Sequence, residues 1–383
     1  MKKESVSLKK VVLLAGALCA YWIGSGFATG QEVLQFFTAN GTKGIIAALI
    51  FLVLMSSFTF ILYGIGQKKK FDNPYDVFEY YCGKVLGQVY IWFSVVLVYC
   101  IFVVMLAGGG ATIYQYYGIP TYIGTGAIAL LALGTALLGV EKLIDIIGVI
   151  GPIKIVFVAI IGIYGIITLL GQPTLLSEAS RLMPTLGFKS ASSNWAWSGA
   201  LYAFLALMVS IPFQVDCGAS AGSLKEARTA GFVGTVAFTI AIISLIIGEL
   251  VYYELIVGQQ VPTLAIANYI SPILGLIFSV LIVISIYSAV ASFLLMVVRK
   301  FAADKTKKFN IIATVLTAIG MFFGGVLPFD KLVNILFPLA GYSAIVFAGF
   351  MIYKELRGLT EKAYIEKEAS KVKPSILYED SDN

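Results

Sequence analysis

Ten stretches of the chain are apolar and poor in charge: residues 8–38, 43–66, 85–113, 121–139, 145–170, 196–220, 229–256, 270–299, 309–327 and 331–353. A bilayer core is crossed by about 20 apolar residues in a helix. Lipid offers no partner to a backbone N–H or C=O, so such stretches satisfy those groups internally, as helices. The pattern predicts an all-α membrane protein of about ten transmembrane helices. These form a single transmembrane domain over residues 1–353, followed by a charged polar tail at 354–383.

The stretches divide into two sets of five, at about 8–170 and 196–353. In each set the first stretch is interrupted. A polar connector separates the second from the third, at 67–84 and again at 257–270, and a very short loop joins the fourth to the fifth, at 140–144 and 328–330. Five is odd, so the two sets run through the membrane in opposite directions, as an inverted repeat. Proteins of this design bind solutes near the midplane, at discontinuous helices.

The first interruption is Ile23-Gly24-Ser25-Gly26-Phe27-Ala28-Thr29-Gly30. Each glycine disfavours helix by about 1 kcal/mol relative to alanine and admits non-helical backbone. A helix restarting here would turn free N–H groups and a positive dipole end toward the membrane centre, which suits a carboxylate. Close helix packing through the glycines is the plainer alternative, and the polar residues Thr29, Gln31 and Glu32 count against it. Glu32 reads either as a cap or as a member of a proton path. The second interruption is Ser210-Ile211-Pro212-Phe213-Gln214-Val215-Asp216-Cys217-Gly218. Proline removes a helix hydrogen bond and clashes with the preceding turn. Asp216 must be paired, in a wet cavity, or solvated near the inner surface.

Two further features carry chemistry. Lys154 belongs to no loop or tail, and it lies about 13 Å along the fifth helix from Asp145 at 1.5 Å per residue. A lysine at that depth is suited to gain and release a proton, or it snorkels or sits in a static ion pair. Ser285, Ser288 and Ser292 share a face of the eighth helix, either as ligands or bonded back to their own helix.

Composition agrees with the pattern. Hydrophobic residues make up 59%, mean hydropathy is +0.91, and only 13% are charged, against roughly 25% in a soluble domain. The net charge of +6 would suit nucleic acid, but its distribution points elsewhere. With the N-terminus inside, basic residues cluster in inside segments (2–10, 68–70, 84, 142, 225–228, 299–308 and beyond 354), whereas the outside loops hold only Lys43, Arg181, Lys189 and Lys331. That bias predicts both termini in the cytoplasm of a bacterial cell, with the protein in its cytoplasmic membrane. The basic start and first apolar run read as a retained span and not a cleaved signal. There is no histidine, and the four cysteines have no metal spacing. No nucleotide loop or paired-aspartate motif is present, so neither an enzyme nor a metal or cofactor site is expected.

Ile23-Gly24-Ser25-Gly26-Phe27 resembles the first-helix G-S-G signature of the amino acid–polyamine–organocation superfamily, which has the LeuT fold. Asp216 followed by Lys225-Glu226-Ala227-Arg228 is similar to the family's basic loop after the sixth helix. Gly139-Val140-Glu141-Lys142 followed by Lys154, and the five-plus-five plan, fit as well. The chain most resembles YkvI-type bacterial membrane proteins, described as amino acid permeases, over roughly residues 8–353. The resemblance implies a LeuT-like inverted repeat with broken first and sixth helices. It implies a substrate carboxylate held by backbone amides at Gly24, Ser25, Gly26 and Phe27 with Thr29, and an amino group held near Val209, Ser210, Phe213 and Gln214. For coupling it implies either sodium, bound by carbonyls of Ala20 and Ile23 and the hydroxyls of Ser285 and Ser288, or the Lys154 ammonium standing in for that ion. Apart from the resemblance, Asp216 or Glu32 is expected to join the proton path. Pro212-Phe213-Gln214 departs from the family's glycine-rich sixth break and leaves the side-chain pocket open.

The expectation is a symporter of an amino acid or similar small zwitterion, working by alternating access. It would be sodium-independent and coupled to H+, with lipid and a small solute as its partners. A sodium-coupled symporter, with Na+ in place of H+, and a transporter-like nutrient receptor without turnover are the alternatives.

Overall fold

The computed structural model describes residues 6–138 and 141–371. The side chains of Ser25, 138–155 and 359–371 lie outside the described residues. In chain order the helices are α1 (Leu8–Trp22), α2 (Ser25–Ala28), α3 (Gln31–Phe36), α4 (Lys43–Lys69), α5 (Asp76–Tyr117), α6 (Thr121–Leu138), α7 (Glu141–Gly171), α8 (Thr174–Leu182), α9 (Trp195–Ala219), α10 (Leu224–Val251), α11 (Tyr253–Ile256), α12 (Pro262–Ile270), α13 (Pro272–Arg299), α14 (Lys307–Val326) and α15 (Phe329–Lys371). Among the described residues there is no strand.

Among the described residues, seven helices are long and apolar enough to cross a membrane: α4, α5, α9, α10, α13, α14 and the Phe329–Gly358 part of α15. The other predicted segments correspond to the interrupted series α1–α3, to the shorter apolar helix within α6, and to α7, which turns by 112° into α8. Large apolar side chains such as Leu13, Val53, Val96, Leu130, Ile167, Ile240, Phe322 and Val346 are exposed around the bundle. An exposed apolar surface of this extent suits lipid, not water.

Helix limits follow local chemistry. The Asn194 side chain accepts from the N–H groups of Ala196 and Trp197 at the start of α9, Ser223 caps α10 through Glu226 N–H, and Thr306 caps α14 through Phe309 N–H. The third segment is longer than the 85–113 expected. α5 begins at Asp76 and bends at Gly83, whose φ is 76°. Its first turns form a short helix in the connector, as α12 does in the matching connector of the second half. The polar tail begins as a helical continuation of α15 to Lys371.

The packing repeats with inverted order. α1 lies on α10, as α9 lies on α4. α7 packs on α1 and α13, as α15 packs on α9 and α5. α5, α6, α13 and α14 pack together as a second group beside α1, α4, α9 and α10. The end bearing Lys68–Lys70 and the 299–308 loop is called the inner end below, and the end bearing α8 and α12 the outer end. In the inner loop, Arg299 donates from Nε to Asp304 Oδ1 at 2.9 Å and from Nη2 to Oδ2 at 2.5 Å, which holds the Asp304 carboxyl below the usual range.

One element departs from expectation. The sixth segment is not interrupted at Pro212: α9 is a single helix from Trp195 to Ala219 with the proline inside it. The seam with α4 accounts for this. A Cβ on Gly199 would stand 2.4 Å from the Ala47 carbonyl oxygen, one on Gly66 2.1 Å from that of Val215, and one on Gly218 2.3 Å from that of Tyr63. The two backbones therefore touch on both sides of Pro212. Packing along the whole seam outweighs the one hydrogen bond that the proline removes.

Candidate functional site

The first segment breaks twice. α1 closes at Ile23, whose N–H reaches Cys19 O at 2.8 Å, and the chain restarts as α2 with Ala28 N–H bonded to Gly24 O at 3.0 Å. The second break is at Gly30, with φ of 83°, a conformation that a side chain disfavours. Three carbonyls at the breaks have partners outside the helix ladder. Thr29 Oγ1–H donates to Gly26 O at 2.7 Å, and from α12 Thr263 donates its hydroxyl to Ala28 O at 2.7 Å and its N–H to Thr29 O at 3.1 Å. α12 thus seals the break from the outer end. Gln115 of α5 locks α12's approach, accepting from Val261 N–H at 3.0 Å and donating to Val261 O at 2.9 Å.

Beside the first break lies a cavity with about 690 Å³ of empty space, part of it open. Its walls come from both halves: Tyr21, Trp22, Gly24 and Glu32 of the first segment, Val98, Ile101 and Met105 of α5, Tyr202, Leu205, Ala206 and Val209 of α9, Phe238 of α10, Ala289 and Phe293 of α13, and Phe337 of α15. The lining is mostly apolar. Its one carboxylate among the described residues is Glu32, 8% exposed, which accepts a hydrogen bond from the Tyr202 hydroxyl at 3.0 Å. The Tyr202 ring is fixed among Phe36, Phe37 and Phe51, with centroids 5.0–5.4 Å away.

A second pocket, with about 630 Å³ of empty space, lies against the first and shares Tyr21, Val98 and Val209 with it. Pro74, Tyr75, Pro212, Phe213 and Asp216 place it toward the inner end. The partition includes the Tyr21 ring, stacked on Phe213 at 4.2 Å and 16°, with its hydroxyl donating to Val209 O at 2.8 Å.

The residues expected at the site fall into several groups. Gly24 and Val209 line the cavity, Gly26 adjoins the Glu32 carboxylate, and Phe213 and Asp216 line the second pocket, where Asp216 is exposed. Thr29 and Phe27 are fully buried and absent from the cavity lining. The Thr29 hydroxyl is engaged within the break, and Phe27 packs on Phe238 at 4.8 Å. Ser210 and Gln214 hold Trp22: its indole N–H donates to Ser210 Oγ at 3.1 Å, as does the Gln214 amide at 2.7 Å, and Ser210 donates to Ala206 O. Ser285 and Ser288 are buried on α13, and the Ser288 hydroxyl donates to Ser285 O at 2.9 Å. Ala20 and Ile23 close α1, and α13 packs on α2. The side chains of Lys154 and Ser25 lie outside the described residues. Lys154 is carried by α7, which packs on both α1 and α13.

Sequence reasoning gave Glu32 no place in the binding set and missed Tyr202 and Glu249. Glu249, 0% exposed on α10, accepts from the Thr38 hydroxyl at 2.5 Å, and its other oxygen has no hydrogen-bond partner. A Cβ on Gly30 would come within 2.6 Å of that oxygen. The signal was present for both acids, since a carboxylate in an apolar span calls for a reason. For Tyr202 there was none, because tyrosine is common in such helices.

No protein-family model matches the chain. It is similar to two proteins of Bacillus subtilis (strain 168). The membrane protein YkvI is 22% identical over 358 residues, covering 87% of this chain and 92% of that one. YyaD is 28% identical over 151 residues, 39% of this chain and 41% of YyaD, so that match spans about two fifths of the relative's length. Three solved structures share the architecture. MhsT in complex with L-phenylalanine has a TM-score of 0.56 at 15% identity, covering 90% of this chain and 89% of that one. A mutant of the Eremococcus coleocola manganese transporter has 0.55 at 12%, with 92% and 80% covered. The inward-facing conformation of Mhp1 has 0.51 at 15%, with 89% and 75% covered. The inverted packing, the broken first segment and these matches together show an all-α membrane protein of the LeuT fold that is similar to YkvI.

Proposed function

We propose that the chain is a secondary active transporter of an amino acid or similar small zwitterion, sodium-independent and coupled to protons. The observation that carries this reading is the cavity at the broken first segment, walled by both halves and adjoining an inner pocket with which it shares Tyr21, Val98 and Val209, Tyr21 being stacked on Phe213 of that pocket. The outer closure, by contrast, is a set of hydrogen bonds from α12 and Gln115. A site closed unequally at its two ends is what alternating access requires, and a solute shifts the balance only by binding the two states differently. Solved neighbours of this fold include one holding L-phenylalanine and one that is a manganese transporter. The mostly apolar lining here, with six aromatic side chains and a single carboxylate among the described residues, favours the first kind of cargo.

In this reading the inner end faces the cytoplasm of a bacterial cell, as the basic clusters suggest. Lys154 on α7 takes the place of a coupling ion between α1 and α13. Asp216, at the inner pocket, suits the exit of the proton. The test is uptake into proteoliposomes under an imposed pH gradient. Wild type is expected to accumulate the solute, and Lys154→Ala to lose accumulation while still binding. Undiminished uphill uptake by Lys154→Ala removes the lysine from the mechanism. Uptake that requires sodium at fixed pH favours a sodium symporter, and binding without any flux favours a receptor.

A further inference from the structure

The cavity contains a carboxyl group that its walls do not explain. Glu32 projects from α3 into a lining whose other described side chains are aromatic, aliphatic or tyrosyl, and no lysine or arginine is among them. An ionised carboxylate removed from water needs donors or a counter-charge. Tyr202 supplies one donor, to Oε2. Oε1 sits against the break, where a Cβ on Gly26 would be 2.0 Å from it, so the glycine makes the room that lets the carboxylate reach this position. The acid and the break are therefore built for each other, and a cap on α3 would need neither the cavity face nor Tyr202.

We infer that Glu32, oriented by Tyr202, is the cavity's binding site for an organic ammonium group on an apolar body. A metal ion is a poor fit. It would need several hard or thiolate ligands, whereas Glu32 is the one carboxylate among the described lining residues, and no three metal-ligating side chains gather among the described residues. An ammonium needs only a carboxylate and aromatic faces, which attract it further. Trp22, Phe238, Phe293 and Phe337 provide such faces, and they also accommodate an apolar body. The inference deepens the proposed amino acid transport and rests on it for movement, though not for binding. It makes the amino group the recognised end of the solute, so an amine without a carboxylate should bind too.

Three probes of equal body separate the two ends: L-phenylalanine, 2-phenylethylamine and 3-phenylpropionate. Binding to the full-length chain in detergent is read by thermal shift and titration. The amino acid and the amine should bind and the acid should not. Glu32→Gln should weaken both binders roughly 10- to 100-fold, the value of a hydrogen bond to a charged group, without altering the unliganded melting temperature by a comparable amount. Phenylpropionate binding as well as the amine, silence toward all three, or a Glu32→Gln variant of unchanged affinity would each overturn the inference. If Glu32→Gln does not fold, the preference of wild type for amine over acid still decides. Uptake of the bound probe into proteoliposomes tests the transport reading separately. Binding without flux defeats transport and leaves the ammonium site standing, whereas flux of a probe that ignores Glu32→Gln defeats the site and leaves transport standing.

Discussion

The first segment and α9 hold equivalent places in the two halves, yet one is broken twice and the other runs through a proline. The first has Gly24, Gly26 and Gly30, and the carbonyls its breaks set free at Gly26, Ala28 and Thr29 are taken up by Thr29 and Thr263. α9 has one breaker, and its backbone lies directly on α4 through glycines on both sides of it. Each missing helix bond leaves a polar group that must find another partner in a membrane. A break is thus a property of its surroundings as much as of its own residues: the first segment is given substitute partners, and α9 is given a straight template.

The largest effect should come from spoiling the template. A Cβ at Gly66 would stand 2.1 Å from Val215 O, 2.9 Å from its carbonyl carbon and 3.0 Å from its Cα, all backbone atoms that cannot rotate away. Gly66→Ala is expected to cost at least the upper end of the roughly 1–3 kcal/mol typical of overpacking, seen as a large drop in melting temperature or loss of monodisperse protein. Gly16→Ala on α1 is the control: nothing lies within 4 Å of its Cβ position, and alanine should raise helix stability by about 0.5–1 kcal/mol. If the two substitutions behave alike, the seam does not hold α9 straight.

A smaller effect of opposite sign is expected at the proline. In a continuous helix, Pro212→Ala restores an N–H and removes a ring clash, so the melting temperature should rise, by less than the full ~3 kcal/mol separating proline from alanine in a helix interior. Uptake sharpens the comparison. If α9 bends at Pro212 during the cycle, the same variant should be more stable and slower. Equal or faster uptake would mean that α9 works as a rigid rod, and a lower melting temperature would mean that the half-buried ring fills space that matters more than the helix bond.

Much of this was legible in the chain. The long apolar helices, the two connectors and the break at Gly24 follow from apolar length, glycine and charge, all local signals, whereas the short loop expected at 140–144 lies partly outside the described residues. The continuity of α9 was not legible, because it depends on Gly66 and Gly199 lying opposite Val215 and Ala47, a pairing that no local pattern states. Thr29 and Gln214 were read as ligands because the family resemblance puts the substrate beside them. Here both are polar groups holding the scaffold, one closing the break and the other bracing Trp22 through Ser210. Tyr202 gained its role from the rotation of α9, and rotation about the helix axis is what a single sequence leaves open.

The smallest effect concerns one of the bonds that tie the two segments together. The Tyr21 hydroxyl donates to Val209 O at 2.8 Å while its ring stacks on Phe213. Tyr21→Phe keeps the stack and removes the hydroxyl, at a net loss of about 1 kcal/mol, that of one ordinary hydrogen bond. The stack itself contributes a comparable amount beyond area burial, about 0.5–1.5 kcal/mol, and Tyr21, which carries it, lines both pockets. Tyr21→Phe should therefore lower the melting temperature slightly and leave access to the cavity from the inner end unchanged. Access can be read by maleimide labelling of a single cysteine at Ala206 in a cysteine-free background. If Tyr21→Phe opens that position to labelling, the first segment is held against α9 by a hydrogen bond to its backbone and not by the faces of two rings.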